Sequence, residues 1–476
     1  MPGKVLQVAA RDAGREGAAV SADSSKSGRP APDPLPVRAR QILRVRALWV
    51  IPLIAGSVVL AIMTSLYIGS VVNPVSHLRG LPVAVVNEDR GGTVGSRHLD
   101  VGRQVQAGLL ASPKVSGPLH VEVSTLSQAE QAMGRDGLYA TLVIPPNFTS
   151  SLLNVAGLHV AGASADALPH IEILTNNRAG TLGVSLATGI LQPALAVTSH
   201  QIGRKLTALV PPGSATGATK ALLADPVTVM AVQYRPLPAD TALGSSAFYI
   251  ALLTLMCGFL AATIVNSVVD SALGYATNEI GPRWRQRQPV PINRWRTLLI
   301  KWIMVAVLTA VLTAVMLAVA AGALGMYAPD PGLLWVYTWL CAGSVAIGTI
   351  VLLAVAGSYG QVLALLLFVY AGLASAGGVV PVEALPGFPR WLSNFEPLRQ
   401  VLDGVRSILY FGAQANAGLA RGVVAASAGL IFWLVIGTLI VKWYDYKHFY
   451  RLRPDLLAYV RRSAERYKAR PQPGKD

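Results

Sequence analysis

The sequence predicts an α-helical integral membrane protein with six transmembrane helices, one plus five, and an α+β extracytoplasmic domain inserted between the first and second. Three observations lead there. Five apolar stretches, 248–269, 302–324, 333–355, 362–379 and 423–441, follow one another without a Lys, Arg, Asp or Glu, and each comes near the about 20 residues that cross a bilayer core. Backbone groups in lipid have no water to bond, so such stretches are helices. A sixth stretch, 47–72, stands apart, and the polar segment between it and the rest is long enough to fold by itself. Only 13% of the residues are charged, against 53% that are hydrophobic, a charged share about half of that usual in soluble domains.

Residues 1–46, rich in Ala, Gly, Ser, Pro and Arg, read as a disordered basic tail. The apolar stretch 47–72 behind it exceeds the roughly 7–15 residues of a signal-peptide core and is expected to stay as an anchor. The net charge of +16 could suggest nucleic acid, but its distribution argues otherwise. Basic residues exceed acidic ones by five before the first span, by four in 270–301 and by six from Lys442 onward. These three segments share one side if six spans alternate, and the positive-inside rule makes that side the cytoplasm. Both termini are therefore expected inside the bacterial cytoplasmic membrane, with membrane lipid and not nucleic acid as the surrounding partner.

The insert, 73–244, opens with the strand-and-turn run Leu81-Pro-Val-Ala-Val-Val-Asn-Glu-Asp-Arg-Gly-Gly92. A helical rhythm over Arg97–Leu110, a strand at Val121, a short helix at Gln128–Met133 and a strand at Gly137–Ile144 follow. Asn147 is then a plausible helix N-cap. A fourth strand begins at His170, and a long helix runs from Arg178 to about Leu209, broken or kinked near Pro193. Residues 245–441 form the five-helix membrane domain, with a cytoplasmic loop at 270–301 and an outer, re-entrant segment at 380–421. Residues 442–476 read as a basic inner tail with a helix-like stretch, Asp455–Tyr467.

Sites for chemistry are scarce. The histidines share no metal-ligand spacing, both cysteines, Cys257 and Cys341, lie in apolar stretches, and no phosphate-binding Gly-rich loop or nucleophile elbow occurs. Glu88 and Asp89 read as solvated turn residues. An enzyme is not expected. No span interior carries an ionisable group of the kind a proton relay uses, and Asp270 sits at an inner edge.

The order of one span, a large insert and five spans, with Pro82-Val-Ala-Val-Val-Asn-Glu-Asp-Arg-Gly91 and Tyr139-Ala-Thr-Leu-Val-Ile-Pro-Pro146, resembles the phage-infection-protein (Pip/YhgE)-like branch of ABC-2-type permeases. It is also similar to the related nitrosoguanidine-resistance membrane proteins. The resemblance implies a permease subunit of an exporter of amphiphilic or envelope-related substrates. It would hold no cofactor of its own, with ATP on a separate ABC ATPase, and would act as a homodimer or a heterodimer with a related permease. It further implies a coupling loop, with Glu279, Gly281, Arg283, Arg285, Arg287, Pro291, Arg294 and Lys301 at the corresponding points. A short helix braced by Trp284 and Trp295 could pass the push; alternatively the arginines only hold the loop to anionic lipid. In the outer segment Glu396, Arg399, Asp403 and Arg406 could line a gate, or could only pair along one helix. A non-transporting scaffold that binds envelope or secretion partners through the insert is the alternative from a different class.

Overall fold

The computed structural model describes residues 46–94, 97–157, 168–209, 217–276, 278–280, 283–285, 290, 292–449 and 458. The expected N-terminal tail and nearly all of Asp455–Tyr467 lie outside the described residues. The chain divides into two compact units, Met1–Ser65 and Leu66–Asp476. The boundary falls within helix α1 (Arg46–Val71), whose Leu53, Ile54 and Leu60 are exposed, as the side chains of a lipid-facing helix are.

Strands β1 (Leu81–Asn87), β4 (Leu119–Val123), β5 (Ala140–Ile144), β6 (His170–Thr175) and β7 (Thr228–Gln233) form one sheet in the order β4-β1-β5-β6-β7. Only the β5–β6 pair is antiparallel. Because side chains alternate across a strand, β1 serves two cores. Val83 and Val85 join the larger one with α2 (Val101–Ala111), α3 (Phe148–Val155) and α4 (Thr181–Leu209), while Ala84 and Val86 meet Ala129 and Met133 of the helix Leu126–Met133 on the other face. That double burial explains why β1 is a continuous apolar run rather than an alternating one.

The turn after β1 is built on Asp89, and it is not merely solvated. Its carboxylate accepts the backbone N–H of Gly102 at 3.0 Å and of Thr149 at 3.0 Å, as well as the Thr149 hydroxyl. One side chain thus caps the first turns of both α2 and α3. Gly102 has to be glycine, since a Cβ there would lie 2.6 Å from Asp89 Cβ. Asn147 occupies the N-cap position of α3 but makes no side-chain cap bond.

Two expectations for the insert change. Arg97–Leu99 is a strand, β3, paired with β2 (Gly92–Val94), and the helix begins only at Val101. The stretch leading back to the membrane contains β7, an edge strand with Met230 and Val232 exposed, whose lack of a buried face removed the alternation that would have revealed it. Pro193 lies inside α4 without ending it.

The remaining long helices are α5 (Ser246–Ala272), α6 (Arg294–Leu317, prolonged by a π-helical turn to Ala323), α7 (Pro331–Ala356), α8 (Ser358–Leu365, continued by a π-helical turn and Ala371–Ser375), α9 (Pro397–Tyr410) and α10 (Leu419–Tyr446). α7 is central and packs on α5, α6 and α10. Its approach to α5 is close, since a Cβ on Gly258 would lie 2.4 Å from Ala342 O, the small-residue contact typical of helices packed in lipid.

Among the described residues, seven helices rather than six are long and apolar enough to cross a membrane, which makes this a multi-pass membrane protein. The additional one is Thr181–Ala208 of α4. Leu186, Leu191, Leu195 and Leu206 of that helix pack into the core of the sheet.

The sheet is seated on the segment between α8 and α10. Val380, Ala384 and Leu385 belong to its larger core. Arg178 donates to Tyr410 O at 2.8 Å, the Arg79 N–H to Glu383 O at 3.0 Å, and Arg390 back to Arg79 O at 2.7 Å.

Candidate functional site

Charged side chains gather at two places, one at each end of α10. Arg421 and Asp445 mark the two ends, about 36 Å apart at 1.5 Å per residue.

At the sheet-facing end is a cavity of about 450 Å³. Its walls come from Arg135, Asp136 and Tyr139 before β5, Gly377 and Glu383 after α8, Arg399, Asp403 and Arg406 on α9, and Arg421 on α10. Spacing along α9 brings its three members to one face. Asp403 lies 3.9 Å from both Arg399 and Arg421, and Arg399 also donates to Ser393 Oγ at 2.8 Å. Arg406 is only 9% exposed and donates to Gly377 O at a long 3.4 Å. In the same cavity, Glu383 Oε2 is buried without a hydrogen-bond partner among the described residues. Asp136 sits in a left-handed turn conformation, φ 60°. Burial pushes its carboxyl up to about 8, the Asp403 and Glu383 charges add to the rise, and the Arg406 guanidinium opposes it. Burial likewise raises the Tyr139 phenol. Arg399, Asp403 and Arg406 thus line one cavity, while Glu396 is not among the lining residues. Its carboxylate turns to the N-terminus of α9 and accepts the Arg399 N–H at 3.2 Å. Local i,i+4 pairing holds for Arg399 and Asp403 only.

At the other end, Lys301 is buried within α6, two turns inside it. Its Nζ lies 2.8 Å from Asp270 Oδ1 and 2.7 Å from Asn266 Oδ1, both on α5. The helix starts at Arg294 rather than at residue 302, so this lysine belongs to the helix and not to the loop. Asp445 of α10 accepts the backbone N–H groups of Arg294 at 3.2 Å and Trp295 at 3.1 Å, capping α6 together with Asn293. The Arg294 guanidinium donates to Phe449 O at 2.7 Å and lies over the Tyr444 ring, and Trp295 meets Trp302 edge-on. A cavity of about 300 Å³ opens beside these residues, lined by Asn266, Arg294 and Lys301 among others.

The residue range 51–438 matches the family described as protein of unknown function DUF3533. The chain belongs to the DUF3533 family. Among characterised proteins none matches it in sequence. A solved structure, a domain assigned to an ABC type-2 transporter of Thermotoga maritima MSB8, is similar at 21% identity with a TM-score of 0.22, covering 32% of this chain and 85% of that one. The DUF3533 range takes in the whole outer cavity and the Lys301–Asp270 pair, whereas Asp445 lies beyond it.

In this DUF3533 protein Asn278–Ile280 and Arg283–Arg285, in the loop between α5 and α6, pair as antiparallel strands β8 and β9, with Glu279 opposite Trp284. Only the backbone of Glu279, Arg283 and Arg285 is described, and Gly281, Arg287 and Pro291 lie outside the described residues. Sequence reasoning missed Asp136, Glu383 and Arg421 on the outer side and Asp445 on the inner one. Asp136 was hidden in a Gly-Arg-Asp-Gly turn, and Asp445 in a stretch that reads as an interfacial tail.

Proposed function

We propose that this protein is the membrane permease subunit of an ATP-driven exporter of amphiphilic or envelope-related substrates, energised by a separate ABC ATPase and working as a homodimer or with a related permease. α1, α5, α6, α7, α8 with its continuation, and α10 are the six spans. The sheet and α4 stand outside, and the loop 270–301 and both termini face the cytoplasm. Support for this placement comes from the packing of α4 on the sheet core and from the basic excess of the three inner segments.

One observation carries the coupling. The helices on either side of the loop, α5 and α6, are tied together by Asp270 and Lys301, and the start of α6 is held to α10 by Asp445. A force on the loop would therefore act on α5, α6 and α10 at once, and the enclosing ion pair is too buried for its members to slip independently. The chain supplies no nucleotide loop, so the energy comes from a partner, and no catalytic chemistry is assigned to this chain.

The exposed edge of β7, with Met230 and Val232 on the surface, favours a second reading, a scaffold that adds a partner's strand to its sheet. Pull-down of tagged full-length protein in mild detergent, followed by mass spectrometry, separates the two. In the permease reading an ABC ATPase co-purifies with wild type and is lost when Glu279, Arg283, Arg285 and Arg287 are all changed to Ala. Envelope or secretion proteins that persist in that variant, with no ATPase in either sample, would replace it by the scaffold.

A further inference from the structure

The outer cavity contains charges that are close without being neutralised by contact. Asp403 has Arg399 and Arg421 as ion-pair partners, each at 3.9 Å. Arg406 and Glu383 are left over: both line the cavity, and neither forms an ion pair among the described residues; Arg135 is exposed, and the Asp136 carboxyl, raised to about 8 by burial, is protonated at neutral pH. Arg406 is nine-tenths buried and holds one long bond, and Glu383 Oε2 is buried without a partner. Burying a charge costs several kcal/mol unless it is paired and hydrogen-bonded. A cavity lined by a buried guanidinium with one long hydrogen bond and a carboxylate with one buried oxygen unpartnered is therefore suited to a molecule that carries both signs.

The surroundings say where such a molecule comes from. Phe388, Trp391 and Phe395 stand exposed on the segment that forms one wall, with successive rings 6.0 and 5.4 Å apart. Exposed aromatic side chains of this kind mark the level of lipid headgroups. The ladder is fixed to the cavity, since Arg390 donates to Glu383 O at 2.7 Å and Arg399 to Ser393 Oγ at 2.8 Å. The cavity is thus at headgroup depth, and its about 450 Å³ matches a small polar group rather than a whole amphiphile.

We infer that the cavity between the sheet and α9 binds the headgroup of a zwitterionic phospholipid with a primary ammonium, the phosphate against Arg406 and the ammonium against Glu383. A primary ammonium has three N–H donors for the unpartnered Glu383 oxygen and its neighbour; a quaternary ammonium has none, and a glycerol headgroup carries no positive charge. The inference rests on the placement of the sheet outside the membrane but not on ATP-driven export, because the site is read out by binding alone.

The test is lipid retention by the full-length protein in detergent, measured by native mass spectrometry with phosphatidylethanolamine, phosphatidylcholine and phosphatidylglycerol offered in equal amounts. Phosphatidylethanolamine is expected to be retained in preference to both others. Arg406→Gln is expected to weaken that retention about tenfold or more, the usual consequence of removing one partner of a buried charge pair. Glu383→Gln is expected to abolish the preference over phosphatidylglycerol while leaving phosphate-dependent binding. Ala415→Trp, at an exposed position on the rim, blocks the cavity without touching a charge and should act like Arg406→Gln in a protein that stays folded. Equal retention of the three lipids by wild type, or unchanged retention in Ala415→Trp, overturns the proposal. Binding of free phosphoethanolamine with no binding of the lipid also overturns it, assigning the cavity to a soluble zwitterion instead.

Discussion

Lys301 Nζ lies 2.8 Å from Asp270 Oδ1, and this contact ties α6, two turns past its start, to the last turn of α5. Removing one member of a buried pair leaves the other uncompensated, at a cost of about 3–5 kcal/mol. Lys301→Met is accordingly expected to lower the melting temperature of the detergent-purified protein strongly. The exchange of the two residues, Lys301→Asp with Asp270→Lys, should recover part of the loss. A Lys301→Met protein that melts with wild type would show that the pair does not hold the helices together.

Asp445 acts on the same joint from α10. Its oxygens receive the N–H groups of Arg294 and Trp295, and loss of an N-cap acceptor costs about 1 kcal/mol. That corresponds to roughly fivefold in a local opening equilibrium. In Asp445→Ala the amides of Arg294 and Trp295 should exchange with deuterium faster by about that factor, whereas the amides of α7 should be unchanged. Asp445→Asn keeps one acceptor oxygen and should fall between the two.

Much of this was legible in the sequence, for reasons that differ from part to part. Lipid forbids unsatisfied backbone and charge over a fixed thickness, so the lengths and order of α5, α6, α7, α8 and α10 stand out as uninterrupted runs. α4 shows the limit of that signal: Leu191, Leu195 and Leu206 pack into the core of the sheet, yet the helix is also long and apolar enough to cross a membrane. Arg399, Asp403 and Arg406 could be picked out together because one helix brings them to one face. Asp136, Glu383 and Arg421 could not, since each arrives from a different segment and reads locally as a turn or helix-end residue. Lys301 looked like the end of a loop because the apolar run starts one residue later, but the helix that contains it is set by the caps of Asn293 and Asp445.

Two adjacent carboxylates offer a sharper comparison. Asp89 receives Gly102 N–H, Thr149 N–H and the Thr149 hydroxyl, while its neighbour Glu88 is exposed. Asp89→Ala removes the caps of α2 and α3 together and should destabilise the protein by about 2–4 kcal/mol. Glu88→Ala should stay within about 0.5 kcal/mol of wild type. Limited proteolysis of the full-length protein, followed at cleavage sites in 87–102, distinguishes them. Equal protection of the two variants would mean that Asp89 carries no more of the fold than its neighbour.

The seam between the sheet and α9 should depend on pH, with a sign fixed by Asp136. Its carboxyl is raised from the ordinary value of 3.8 to about 8, by burial first and then by the Asp403 and Glu383 charges. The folded state therefore binds a proton that the unfolded state has released, and stability falls with rising pH over that interval. The contribution of the neutral Asp136 is complete below about pH 4 and is lost as pH rises through about 8. Arg406 opposes the rise, so Arg406→Gln should shift the loss to higher pH. Asp136→Asn keeps the shape, tolerates the left-handed backbone and cannot ionise; its seam should be insensitive to pH over the same range. The measurement is cleavage by a protease with a broad pH range at the turn 134–137, taken between pH 6 and pH 9. In wild type, cleavage should increase toward pH 9, and in Asp136→Asn it should not. An identical rise in both proteins would assign the pH response to another group in the cavity, with Glu383 and Asp403 as the acids that face it.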